Sequence, residues 1–213
     1  MKALTIHPVT YAWSTLEERL IFRDGRAGVY HPISFTFYLI KLGERRILVD
    51  AGCDTMPDFL MHYHCPPAKA IERHGVIAEE ITDVIITHAH HDHVESVRHF
   101  PNATVHIQQD EYVKAKPFIP DTMPVRTFEE RLTVAEGVEV IRWGGHSVGS
   151  CIVQVGERTV IVGDEIYTAA CIQRRTPTGA SCNPQKSQQF IDTYSQGPWR
   201  LLYCHDPEQE DRL

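Results

Sequence analysis

Apolar and polar positions divide the chain into short runs of two kinds. SFTFYLIKL (Ser34–Leu42) and RRILVDAG (Arg45–Gly52) are apolar and rich in aromatic and β-branched residues on either side of the turn GE, and predict an antiparallel hairpin. PPAKAIERHG (Pro66–Gly75) places helix formers between a proline start and a glycine stop, which predicts a short helix. Buried strands are predicted at TDVIITH, with its apolar run over Asp83–Thr87, and at ATVHIQQ (Ala103–Gln109). DEYVKAK (Asp110–Lys116), opened by acidic residues, predicts a helix after them. A proline-rich connector, Pro117–Pro124, leads to three strands separated by glycines: Gly137–Trp143, Cys151–Gly156 and Arg158–Asp164. NPQKSQQFIDTYSQG (Asn183–Gly197) has an asparagine cap, a proline in its first turn and a glycine after its end, and predicts a helix. WRLLYCH (Trp199–His205) predicts a last strand. Strands and helices in both halves, with no repeat and no long linker, imply one layered α/β domain over residues 1–213.

Composition narrows the function classes. A net charge of -7 argues against a nucleic-acid partner, whose phosphates draw affinity from lysine and arginine. The pairs Arg45-Arg46 and Arg174-Arg175 are read as solvated loop ends. No run approaches the roughly 18 apolar residues of a membrane span, and the N-terminal stretch lacks the apolar core of a secretory signal. Six cysteines without a C-x-x-C spacing are read as free thiols in a reducing compartment, so the expected setting is the cytoplasm. The sequence carries no signal for oligomeric state.

The chemistry concentrates in THAHHDHVES (Thr87–Ser96), which holds four histidines and an aspartate directly after an apolar run. Other candidate ligands also stand where a predicted strand runs out: His146 after VIRWGG, Asp164 after TVIVG and His205 after WRLLYC. Strand ends feeding loops are where a rigid scaffold aims side chains into a shared cleft. His88 and His90 can hold one ion while Asp92 and His93 turn toward a second. His146 and His205 would add nitrogen ligands, and Asp164 a carboxylate between the ions. Imidazole with carboxylate suits zinc, iron or manganese better than calcium or magnesium. The isolated histidines His7, His31, His74, His99 and His106 are read as surface or satisfied core residues, and His91 as pointing away from its neighbours. His62, His64 and Cys65 could bind a metal, but no strand positions them.

These residues resemble the metallo-β-lactamase fold superfamily: THAHHDH matches its H-x-H-x-D-H signature, and GGHS, VGDEIY and YCHD follow in its order. The resemblance implies a four-layer αββα sandwich and two divalent metal ions, zinc before iron or manganese. One ion would have His88, His90 and His146, the other Asp92, His93 and His205, with Asp164 bridging. Asp50 would orient the histidine loop from behind. Cysteine stands at the position of Asp164 in common dizinc β-lactamases, which disfavours antibiotic hydrolysis. Glyoxalase II-like thioesterases append a helical domain after the last ligand, where eight residues follow His205 here. The branch most similar is the N-acyl homoserine lactonases, on Tyr167 three residues after Asp164, on VHIQQDEY, and on the ending HDPEQE.

That resemblance implies a small-molecule partner, a lactone whose ring is opened by a hydroxide shared between the ions. Tyr167 would stabilise the oxyanion, and Asp92 would hold the nucleophile and return a proton. Departures from the pattern are Val94-Glu95-Ser96, where lactonases often have a small residue and two glycines, and GGHSVGS, where relatives commonly have another histidine. A thioesterase or small-ester hydrolase is the alternative reading, and a metal-binding sensor without turnover is a third.

Overall fold

The longest element is one that the alternation of residues does not announce. Strand β1 (Leu4–Glu17) runs for 14 residues through LTIHPVTYAWSTLE, where Pro8 and scattered threonines blur the period of two. It lies at the edge of its sheet, where a proline costs no ladder hydrogen bond. The computed structural model describes residues 4–57 and 60–209. Within them the chain forms two units, one of residues 4–14 and 35–128, the other of residues 15–34 and 129–209. The last glutamate of the HDPEQE ending, Glu210, lies outside the described residues.

In the first unit, β2 (Tyr30–Leu42), which enters from the second unit, pairs antiparallel with β3 (Arg45–Val49), as the hairpin pattern predicts. A helical turn α2 (Pro67–Ala70) continues as a 3₁₀ turn to His74, and Gly75 closes it with a left-handed φ of 67°. Strand β4 (Asp83–Ile86) pairs parallel with β3, and the short helix α3 (His91–Val94) follows. Next come β5 (Thr104–Gln108), α4 (Gln109–Ala115) and β6 (Val125–Phe128). The six-stranded sheet has the order β1-β2-β3-β4-β5-β6, parallel from β3 to β6. Parallel strands are covered on both faces, which is why DVII is buried at every position.

The second unit holds a five-stranded sheet of order β11-β10-β9-β8-β7, built from β7 (Arg131–Ala135), β8 (Val138–Arg142), β9 (Cys151–Val155), β10 (Thr159–Ile161) and β11 (Arg200–Leu202). Its pairings are antiparallel except that of β10 with β11. Helix α1 (Glu18–Ile21) opens the excursion between β1 and β2, α5 (Ala169–Arg174) follows β10, and α6 (Pro184–Tyr194) precedes β11. The Asn183 side chain accepts from the Lys186 N–H and caps α6 as its sequence predicts. Strands β10 and β11 are shorter than the apolar runs that predict them, because the residues after Ile161 and Leu202 leave the ladder. All six cysteines are unbridged.

Of the two arginine pairs, Arg45-Arg46 is not a solvated loop end, whereas Arg174 and Arg175 are exposed at the end of α5, as the sequence reading has them. Arg45 lies in β3 and donates to both carboxylate oxygens of Asp83, from Nε at 3.0 Å and from its terminal nitrogen at 2.5 Å. The guanidinium of Arg174 lies 4.0 Å over the centre of the Phe22 ring, and Arg175 pairs with Asp192 at 2.7 Å. A charged head on an apolar stem is drawn to buried carboxylates and ring faces, which the pair spacing alone does not reveal. His106 is a buried core histidine whose Nε2 lies 2.8 Å from Asp83, while its Nδ1 has no hydrogen-bond partner among the described residues.

Candidate metal centre

In the first unit the site begins where β3 and β4 end. Asp50 follows β3 with a φ of 66°, a left-handed conformation that aspartate tolerates better than most residues. This turn lets its backbone N–H donate to Ile85 at 2.7 Å while its carboxylate faces the loop after β4. Oδ1 accepts the Thr87 N–H at 2.8 Å; Oδ2 accepts the Thr87 hydroxyl at 2.9 Å and His93 Nδ1 at 2.8 Å. The Thr87 hydroxyl has given its one proton to Asp50, so it accepts from His88 Nδ1 at 3.1 Å. Both imidazoles are thereby fixed with the proton on Nδ1, which leaves Nε2 as the unprotonated nitrogen.

The four candidate ligands of this unit fall into two pairs. His88 Nε2 stands 3.0 Å from His90 Nδ1, and His93 Nε2 stands 3.6 Å from Asp92 Oδ2. Buried polar groups hold the loop between them. Glu111 accepts the Ala89 N–H at 2.9 Å, and Tyr11, fully enclosed, donates to the Asp92 carbonyl at 3.2 Å. Burial pushes the Tyr11 phenol well above its ordinary range, helped by neighbouring Cys53 and Asp92, so it remains a donor. His91 turns away: its Nε2 lies 2.9 Å from the Thr55 carbonyl and its ring packs edge-on against Phe118. His64 Nε2 lies 3.2 Å from the Cys53 carbonyl, while His62 bridges the backbone of Trp13.

In the second unit, His146 follows β8, Asp164 follows β10 and His205 follows β11, all three buried. Asp164 stands between the two histidines, with Oδ2 3.5 Å from His146 Nε2 and Oδ1 3.1 Å from His205 Nε2. His205 Nδ1 donates to the Ser34 carbonyl at 3.0 Å, which again directs Nε2 toward the aspartate. The Tyr167 ring packs against both histidines, with centroids 5.8 Å from His146 and 5.1 Å from His205. The next residue along from His205, Asp206, accepts the Ala169 N–H at 2.9 Å and so ties this strand end to the start of α5.

Glu165, which the sequence reading passes over, is fully buried beside Asp164. Its Oε1 accepts the N–H groups of Gly145 at 3.2 Å and His146 at 3.3 Å, and the Ser150 hydroxyl. Burial pushes its carboxyl up to about 7, with the Asp164 charge adding to the rise and the hydrogen bonds from Ser150, His146 and Gly145 opposing it. A second acidic residue directly after Asp164 in VIVGDEIY is the signal that could have marked it. The donor set fits a divalent transition ion: imidazole Nε2 atoms fixed by tautomer, with carboxylates of the type that zinc, iron and manganese accept.

Residues 36–209 match the family described as the metallo-beta-lactamase superfamily. The chain belongs to that superfamily. Solved structures share its fold along the whole chain. A structure of B. thuringiensis AiiA with N-decanoyl-L-homoserine bound has a TM-score of 0.85 at 20% identity, covering 100% of this chain and 97% of the other. A quorum-quenching N-acyl homoserine lactone lactonase has a TM-score of 0.84 at 21% identity, covering 100% and 96%. Among curated relatives, a hydroxyacylglutathione hydrolase of Aliivibrio salmonicida is 33% identical over 111 residues, 50% of this chain and 40% of the relative. A beta-lactamase-like protein 2 homolog of Drosophila melanogaster is 26% identical over 141 residues, 60% of this chain and 45% of the relative. The chain thus spans less than half the length of these curated relatives. Among the described residues of this metallo-β-lactamase family member, no helix is long and apolar enough to cross a membrane.

Proposed function

We propose that this chain is a metal-dependent hydrolase that opens the lactone ring of N-acyl homoserine lactones, with residues 1–213 acting as one catalytic domain. The observation that carries the reading is the pairing of donors within each unit. His88 stands with His90 and Asp92 with His93, while the two oxygens of Asp164 are divided between His146 and His205. On this reading two divalent ions would be held, one by His88, His90 and His146, the other by Asp92, His93 and His205, with Asp164 shared. Bound zinc, or iron or manganese in its place, would supply a nucleophile from water near neutral pH and polarise the substrate carbonyl.

The chain's own residues have the remaining work. The Tyr167 phenol, set by its packing on His146 and His205, donates to the oxygen that gains charge during attack. Asp92 accepts the proton of the attacking water and returns it to the departing ring oxygen. Asp50, Thr87 and the Ser34 carbonyl keep the imidazole tautomers fixed throughout. The six unbridged cysteines support a cytoplasmic setting.

The experiment is proton release by purified, metal-analysed protein given short-chain and long-chain N-acyl homoserine lactones, with Asp92→Asn as control. Metal-dependent ring opening that the variant loses is the expected result. No release from protein carrying about two ions per chain would overturn the lactone assignment. Turnover of a glutathione thioester in its place would favour thioester hydrolysis, the second reading, which the hydroxyacylglutathione hydrolase relatives support. Loaded protein that turns over neither substrate would point to a metal-binding sensor.

A further inference from the structure

Around His146 nearly every backbone polar group is held. The N–H groups of Gly145 and His146 both donate to Glu165 Oε1. The Gly145 carbonyl accepts the Ser181 hydroxyl and the Asn183 N–H, each at 2.8 Å, and the His146 carbonyl accepts the Cys182 N–H at 3.1 Å. Ser150 donates its hydroxyl to the same Glu165 oxygen and accepts the Ser147 N–H at 3.1 Å. The far oxygen, Oε2, is buried without a hydrogen-bond partner among the described residues and lies over Gly145, where a Cβ would stand 2.3 Å from it. A carboxylate so enclosed has no solvent-facing role, and its contacts all fall on the loop that carries His146 or on that loop's neighbours.

We propose that Glu165, with Ser150, is a positioning residue for the metal centre: it fixes the peptide that carries His146 and so sets the affinity of the site for its ion. The proposal rests on the metal-binding part of the reading above and not on the lactone. Without the carboxylate two buried amides lose their acceptor, and the segment must turn toward solvent to satisfy them. That turn carries the imidazole away from Asp164. Glutamine keeps an acceptor oxygen at the same reach, whereas alanine does not. The proposal needs no titration of Glu165.

The test is zinc and cobalt(II) titration of metal-stripped wild type, Glu165→Ala, Glu165→Gln and Ser150→Ala, alongside the melting of each metal-free protein. Supporting groups behind a ligand commonly set affinity by about 10–100-fold. Glu165→Ala is expected to weaken zinc binding by that factor and to alter the visible cobalt(II) spectrum. Glu165→Gln should return affinity to within about 3-fold of wild type on the same scale. Folded Glu165→Ala with wild-type zinc affinity and an unchanged cobalt spectrum overturns the proposal, even if its metal-free melting falls, because that pattern is support of the fold alone. If Glu165→Ala does not fold, Ser150→Ala decides: weaker zinc binding upholds the proposal and wild-type affinity overturns it. None of these readouts requires lactone turnover, so failure of the lactone reading leaves the result intact.

Discussion

At Asp50 one carboxylate receives the Thr87 amide, the Thr87 hydroxyl and the His93 ring, and through Thr87 it also settles the proton on His88. Asp50→Ala removes all of these at once. Its expected effect is a loss of about 10–100-fold in zinc affinity, read by titration against a competing chelator. Tyr167 packs its ring on two of the candidate ligands, His146 and His205. Tyr167→Phe keeps the ring and deletes the donor. If the phenol serves the oxyanion, kcat on lactone falls by about 100-fold with metal content unchanged, the scale typical of losing one such donor. Unchanged turnover would remove Tyr167 from the mechanism. Metal content measured on the same sample separates this variant from Asp50→Ala, whose activity falls because the ions are lost.

The elements show why the candidate ligands are legible in the sequence and their supports are not. Each candidate ligand stands just beyond an apolar run, so the runs DVIIT, TVIVG and WRLLYC point to His88, Asp164 and His205 without any knowledge of the fold. The supports are made through space: His205 is oriented by Ser34, 171 positions away, and the Ala89 amide by Glu111, 22 positions away. No periodicity encodes such contacts. Strand β1 and helix α5 were also illegible, the first because Pro8 interrupts it and the second because six residues offer too few turns to show a face. The same logic applies to Gly145 in GGHS. A Cβ there would lie 2.3 Å from Glu165 Oε2 and 2.5 Å from Ser187 Oγ. Gly145→Ala is expected to cost about 1–3 kcal/mol of stability from overpacking, seen as a lower urea midpoint. A midpoint equal to wild type would mean that the carboxylate can step aside.

For the whole molecule the acidic balance turns the question to pH, and Asp83 is the carboxylate with the clearest answer. It opens β4, and three neighbours converge on it: Arg45 from β3, His106 from β5, and the Thr82 hydroxyl just before it. Burial by itself would raise its carboxyl, but the hydrogen bonds from His106, Arg45 and Thr82 outweigh that and hold it at about 2. An unfolded aspartate titrates near 4. The folded state therefore binds the proton less readily, and the resulting stabilisation is present above pH 4 and lost as pH falls from there toward 2. The shift corresponds to about 2 kcal/mol at neutral pH and to less than about 1 kcal/mol at pH 2.5. The check is urea unfolding of metal-stripped wild type and Asp83→Asn at pH 6 and pH 2.5, which keeps the metal ligands' own titration out of the comparison. The stability gap between the two proteins is expected to narrow at the lower pH by more than half. A gap that stays constant would mean that Arg45 and His106 hold the Asp83 side chain equally well in its neutral form, and that β3, β4 and β5 are joined there by packing rather than by charge.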